Sequence, residues 1–107
     1  MQKRIYLLYT LLPTLGFLFA TPALSAEADL AKAEKVYKHS CATCHGKQGE
    51  KPAMGESKII NQLQPEEIST ALSERKAGNI TGAGSPAKQR LSEQDIHNLS
   101  EYIQTLK

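Results

Sequence analysis

One stretch, Cys41-Ala42-Thr43-Cys44-His45-Gly46, constrains this chain of 107 residues more than any other. Two thiols three positions apart lie on one helical turn, and an imidazole follows immediately. Such a pair can form thioethers to the two vinyl groups of one porphyrin, and the next residue then lies under the iron as an axial ligand. Two other readings of C-x-x-C compete. A thioredoxin-like dithiol belongs in a βαβ setting, and no strand pattern surrounds this one. A zinc site takes about four ligands, yet the chain has no second cysteine pair, and His39 and His97 form no metal-ligand repeat. The motif therefore points to one covalently held haem c, attached through Cys41 and Cys44, with His45 on the iron.

The segment ahead of the motif speaks to compartment. Lys3 and Arg4 form a short basic start, residues 5–20 are almost wholly apolar, and residues 21–28 are small and weakly polar. This is the pattern of a secretory signal peptide. The apolar run of 16 residues, broken by Pro13 and Gly16, is short of the about 20 that span a membrane. Cleavage is expected after Ala26, or as late as Ala28, leaving a domain of residues 27–107. Both cysteines sit in the one motif, so no disulfide scaffold is implied. Removing residues 1–26 takes Lys3 and Arg4 away, so the 13 basic residues of the chain fall to 11 against 11 acidic ones. A nearly neutral domain offers no basic nucleic-acid surface.

The domain is small and has no Trp. Chains of this size bury a marginal core and usually need a staple. A covalently held, mostly apolar macrocycle would fill that core. The periodicity is helical throughout. From Asp29, which can cap, to about Ser40, the residues Leu30, Ala33, Val36 and Tyr37 make one apolar stripe. Glycines and Pro52 make residues 46–55 a loop, and a carbonyl near Pro52 is a candidate acceptor for the second ring nitrogen of His45. Ile59, Ile60 and Leu63 follow as an apolar patch suited to covering a haem face. Pro65, Glu66 and Glu67 open a helix whose buried stripe is Ile68, Ala71 and Leu72, and which stops at Gly78. Residues 79–90 read as a loop of low propensity. Ser92, with Asp95 three residues on, caps a last helix carrying Ile96, Leu99, Ile103 and Leu106. The first and last helices are expected to cross.

Taken together, Val36-Tyr37 leading into Cys41–His45, the Pro52-Ala53-Met54-Gly55 loop, the Pro65-Glu66-Glu67 helix start and the stretch from Leu91-Ser92-Glu93 to Tyr102-Ile103 resemble a small class I cytochrome c of the short bacterial periplasmic kind. That resemblance implies an all-α, cytochrome c-like fold of three to four helices around one covalently attached haem. It implies Cys41 and Cys44 as thioether carriers and His45 as proximal ligand. It implies single-electron transfer between redox protein partners in the periplasm, by a monomer that meets the membrane only through partner complexes and is not itself an enzyme.

The family's distal ligand is usually a Met in the loop before the last helix, and here residues 79–90 contain no Met, His or Cys. Met54, nine residues after His45, is one substitute. Lys88, Asn79, His97 or water are others, and an empty position is a third. A saturated iron suits an electron carrier. An open one suits a haem protein that binds a small gas, acts as a sensor, or serves as the haem subunit of a larger complex. Peroxidase-like chemistry wants an ionisable acid–base group on the distal side, for which the loop offers only Lys88 and Arg90.

Overall fold

The computed structural model describes residues 27–107, together with Pro13 and Gly16; the expected signal segment otherwise lies outside the described residues. Helix α1 spans Leu30–Ser40 and starts where Asp29 accepts a hydrogen bond from the Lys32 amide at 2.9 Å. Cys41 leaves helical geometry at φ −122°, and α2, Ala42–His45, resumes at once. Two short 3-10 turns follow, at Ala53–Gly55 and Ile60–Gln62. Helix α3, Pro65–Lys76, has Pro in its first turn, and the Gln64 amide donates to the Glu67 carboxylate at 2.8 Å. It ends at Gly78, whose φ of 83° is left-handed backbone that glycine adopts without strain. Helix α5, Glu93–Gln104, begins with the reciprocal bonds expected of Ser92 and Asp95, both 3.0 Å.

The expected loop of residues 79–90 is not all loop. Its second half forms a helix, α4, at Ser85–Gln89. Pro86 falls in the first turn, where its missing amide proton is not needed. The Ser85 hydroxyl accepts from the Gly82 amide at 2.7 Å and so fixes the turn that feeds the helix. The three long helices are those the sequence pattern predicts; α2 and α4 are added between them as short connectors.

The core is small: Ala33, Tyr37, Ile68, Leu91, Ile96, Leu99 and Ile103. As expected, α1 and α5 pack across each other, and α3 packs against α5 from another side. Ala33 keeps the first crossing close. Asn98 of α5, 1% exposed, accepts from the Asp29 amide at 3.0 Å and from Gln94 Nε2 at 2.8 Å. An ion pair from Lys32 to Asp95, 3.1 Å, spans the same two helices at the surface. Leu30, expected on the buried stripe, stays 43% exposed.

Tyr37 is wholly buried. Its ring meets that of Tyr102 at 5.6 Å and 54°, and its hydroxyl donates to the Gly46 carbonyl at 2.6 Å. Burial pushes the hydroxyl up from 10.0 to about 12. Below pH 10 the phenol is neutral in both states; as pH rises further the unfolded chain ionises first, so folding loses about 1.4 kcal/mol per unit until the folded value is passed. In denaturant melts of the holoprotein, Tyr37→Phe is expected to cost about 1 kcal/mol at pH 7 and to show a shallower loss between pH 10 and pH 12 than the parent protein.

Candidate cofactor site

Every helix contributes to one cavity of about 620 Å³. Cys41, Cys44 and His45 line it from the motif, Ile60 and Leu63 from the second 3-10 turn and the residue after it, Ile68, Ala71 and Leu72 from α3, Ala87 and Lys88 from α4, and Leu99 and Ile103 from α5. The predicted stripe of α3 therefore faces this cavity. Of the patch expected to cover a haem face, Ile60 and Leu63 line the cavity and Ile59 does not. Four of the seven core residues, Ile68, Leu91, Leu99 and Ile103, also border it. The core is thus a shell around the cavity rather than a solid centre.

The local fold explains how the motif reaches this space. The Cys41 amide still donates to the Tyr37 carbonyl at 2.9 Å, so the motif continues α1 in all but one residue. The His45 and Gly46 amides return to the Cys41 and Ala42 carbonyls at 3.0 and 2.8 Å and close the turn. Gly46 then leaves at φ 84°, and a β-carbon there would collide with the Glu50 carboxylate. Beyond it, the Asn61 amide and side chain donate to the Gly49 and Gln48 carbonyls at 3.2 and 3.0 Å, holding the post-motif loop against the second 3-10 turn.

Cys41 is half-buried and Cys44 exposed, and neither is in a disulfide. Burial pushes the Cys41 thiol up, with Lys88 drawing it partly back. That is the reverse of the lowered thiol a redox dithiol needs. Among the described residues no three His, Cys, Asp or Glu side chains converge as a metal cage. On His45, Nδ1 is buried and has no hydrogen-bond partner. The expected bond to a carbonyl near Pro52 is not formed; the Pro52 carbonyl accepts instead from the Gly55 amide at 2.9 Å. With Nδ1 sealed, Nε2 is the nitrogen left to face the cavity that His45 lines. Burial foremost, then the Lys88 and Arg75 cations, hold the ring below its ordinary value and so favour the neutral imidazole that can give a lone pair to a metal.

Two thiols and one imidazole nitrogen on the wall of an apolar cavity fit a large flat macrocycle with a metal at its centre. They would hold haem by two thioethers and one axial bond. When bound, that group supplies reversible one-electron chemistry at its iron.

The other predicted ligands fall out differently. Met54 borders the cavity but is 76% exposed, with a left-handed φ of 57° in the turn that packs on α2. Lys88 lines the cavity and is half-buried. Asn79, His97 and Arg90 do not line it, and His39 is exposed. Arg75, on the last turn of α3, is a cavity residue that sequence reading missed; it sits seven residues beyond Ile68, on the same helical face, which is the signal that could have found it.

Replacing Gly46 by Ala forces a β-carbon into a left-handed position and against Glu50. Thermal melts of the holoprotein are expected to show a loss of about 1–3 kcal/mol, where Lys47→Ala, one residue on and exposed, changes little.

The chain matches the family model described as "Cytochrome C oxidase, cbb3-type, subunit III" over residues 28–103. It is 42% identical over 83 residues to cytochrome c-553 of Helicobacter pylori, an alignment covering 77% of this chain and 86% of that protein. It is 37% identical over 91 residues to cytochrome c-554(547) of Halothiobacillus neapolitanus, covering 74% of this chain and 98% of that protein.

Proposed function

The chain belongs to the cytochrome c family and is a c-type cytochrome of electron transfer carrying covalent haem c, and on that premise we propose that it is an exported, periplasmic carrier that moves one electron at a time between redox proteins. In this reading Cys41 and Cys44 carry the thioethers and His45 is the proximal ligand. The observation that supports it most is the convergence of all three side chains on one apolar cavity, with the sealed Nδ1 of His45 turning Nε2 inward.

The chain's own part is to hold, shield and present. Tyr37 and the closed turn at Cys41–His45 hold the backbone on both sides of the imidazole, which limits how far it can shift with a change of charge at the site. Ile60, Leu63, Ile68, Leu72, Leu99 and Ile103 exclude water from the walls. Cys44, Met54, Glu56 and Lys58, all exposed, make the mouth, and this is the side at which a partner protein can approach. A carrier of this kind needs no acid–base residue and turns over no substrate of its own. It is proposed to act as a monomer, after removal of residues 1–26 or 1–28.

Haem staining after denaturing electrophoresis tests the attachment. The parent protein is expected to keep its stain, Cys41→Ser with Cys44→Ser to lose it, and His45→Ala to abolish the low-spin spectrum of whatever haem is attached. Stain retained by the double variant would refute the assignment. Mass spectrometry of periplasmic protein is expected to give a chain beginning at Glu27 or Asp29 with one haem added; full-length chain recovered from the cytoplasm would count against export.

A further inference from the structure

We infer that the side-chain amine of Lys88 is the sixth ligand of the haem iron. The inference rests on the reading that Cys41, Cys44 and His45 hold the haem. His45 stands on α2, and the Ala53–Gly55 turn packs against that same helix. Met54 therefore belongs to the wall of His45, and it is largely in solvent. Glu56 and Lys58 follow directly on that turn and are exposed, and the second 3-10 turn and α5 bring only apolar side chains to the cavity; α3 and α4, which pack together, bring three charged ones: Glu67, Arg75 and Lys88.

Two of the three are unavailable. The Glu67 carboxylate is engaged with the Gln64 amide at the start of α3. The Arg75 guanidinium stays protonated and has no lone pair to give. An amine is a nitrogen donor that iron accepts once its proton has passed to solvent. Asn79 and His97 do not border the cavity.

Gly84 supplies a second observation. A β-carbon built on Gly84 would come within 2.7 Å of Lys88 Nζ. The amine thus occupies the room that a side chain at the start of α4 would take. Residues 84 and 88 stand four apart on one helical face, and the glycine at the first lets the lysine at the second fold back along the cavity wall. This is the loop in which the sequence carries no Met, His or Cys. Lysine and glycine together give that segment a nitrogen donor, reaching back along the cavity wall by one helical turn.

The test uses holoprotein matured by a haem-attachment system. Covalent haem is measured by stain after denaturation, and ligation by optical and electron paramagnetic resonance spectra, with carbon monoxide added to the reduced form. The parent is expected to be low-spin at pH 7, without the red charge-transfer band of a methionine–iron bond, and slow to take up carbon monoxide. Lys88→Ala is expected to keep the covalent haem, become high-spin and bind carbon monoxide promptly. Lys88→Arg is expected to behave like Lys88→Ala, because it keeps the charge and loses the donor. A low-spin spectrum surviving in Lys88→Arg would overturn the inference and leave Lys88 as a cation only. A methionine band in the parent that vanishes in Met54→Ala would overturn it in favour of Met54, and a high-spin parent that binds carbon monoxide at once would show an open site. In each of these three cases the stain persists and the haem-binding reading stands; absence of stain from the parent would overturn both.

Discussion

Tyr37 ties the molecule together. Its hydroxyl binds the carbonyl that follows His45, and its ring rests on Tyr102 of the last helix. Through one side chain the first helix, the exit of the motif and α5 are held in fixed relation. A neutral phenol in that position satisfies a buried carbonyl that would otherwise be costly to leave unpaired. The bond needs the phenol proton, so ionisation removes it and places a charge in an apolar setting. Stability and site geometry are therefore coupled through a residue that does not border the cavity.

The rest of the core is arranged to enclose rather than to fill. Of its seven buried apolar residues, four turn one side to the cavity. The three that do not, Ala33, Tyr37 and Ile96, belong to the first and last helices, which pack directly on one another. A chain with so few large apolar side chains gains little from burying them against one another. A covalently attached macrocycle changes this, because it gives Ile68, Leu72, Leu99 and Ile103 an apolar surface to meet. Structure and cofactor are in that sense one problem: the residues that would insulate the haem are those that need it for their own burial.

Much of this was legible in the sequence, for reasons that can be named. Asp29, Ser92 and Asp95 act through backbone amides within three residues, and Pro65 through the amide proton it lacks, so local order suffices to place them. The stripe of α3 was readable because helical periodicity survives whatever it packs against. The motif was readable because its chemistry demands fixed spacing. What escaped was non-local or depended on competition. The short α4 was hidden by Gly82, Gly84 and Pro86, which favour a loop until Ser85 closes the turn on the Gly82 amide. The partner of His45 was misjudged because the Pro52 carbonyl closes its own turn onto Gly55. Arg75 went unnoticed because a cation at a helix C-terminus already has an adequate reason to be there.

The two sides of the cavity differ in how they are encoded. The wall that carries His45 comes from continuous chain, residues 40–54, and its geometry follows from one helical turn and one glycine. Another wall is assembled from α3 and α4, which follow the motif at 20 residues or more. Changing a donor there alters neither the turn at Cys41–His45 nor the α1–α5 crossing, so the fold does not constrain it. A ligand can then move from one position of that wall to another, provided that the vacated position is small enough to let it in. Gly84 beside Lys88 has this form. The physical consequence reaches function, since an amine is a harder donor than a thioether and favours the oxidised iron. A carrier built in this way would sit at a lower potential than one with a thioether ligand, without any change in the helices that hold it.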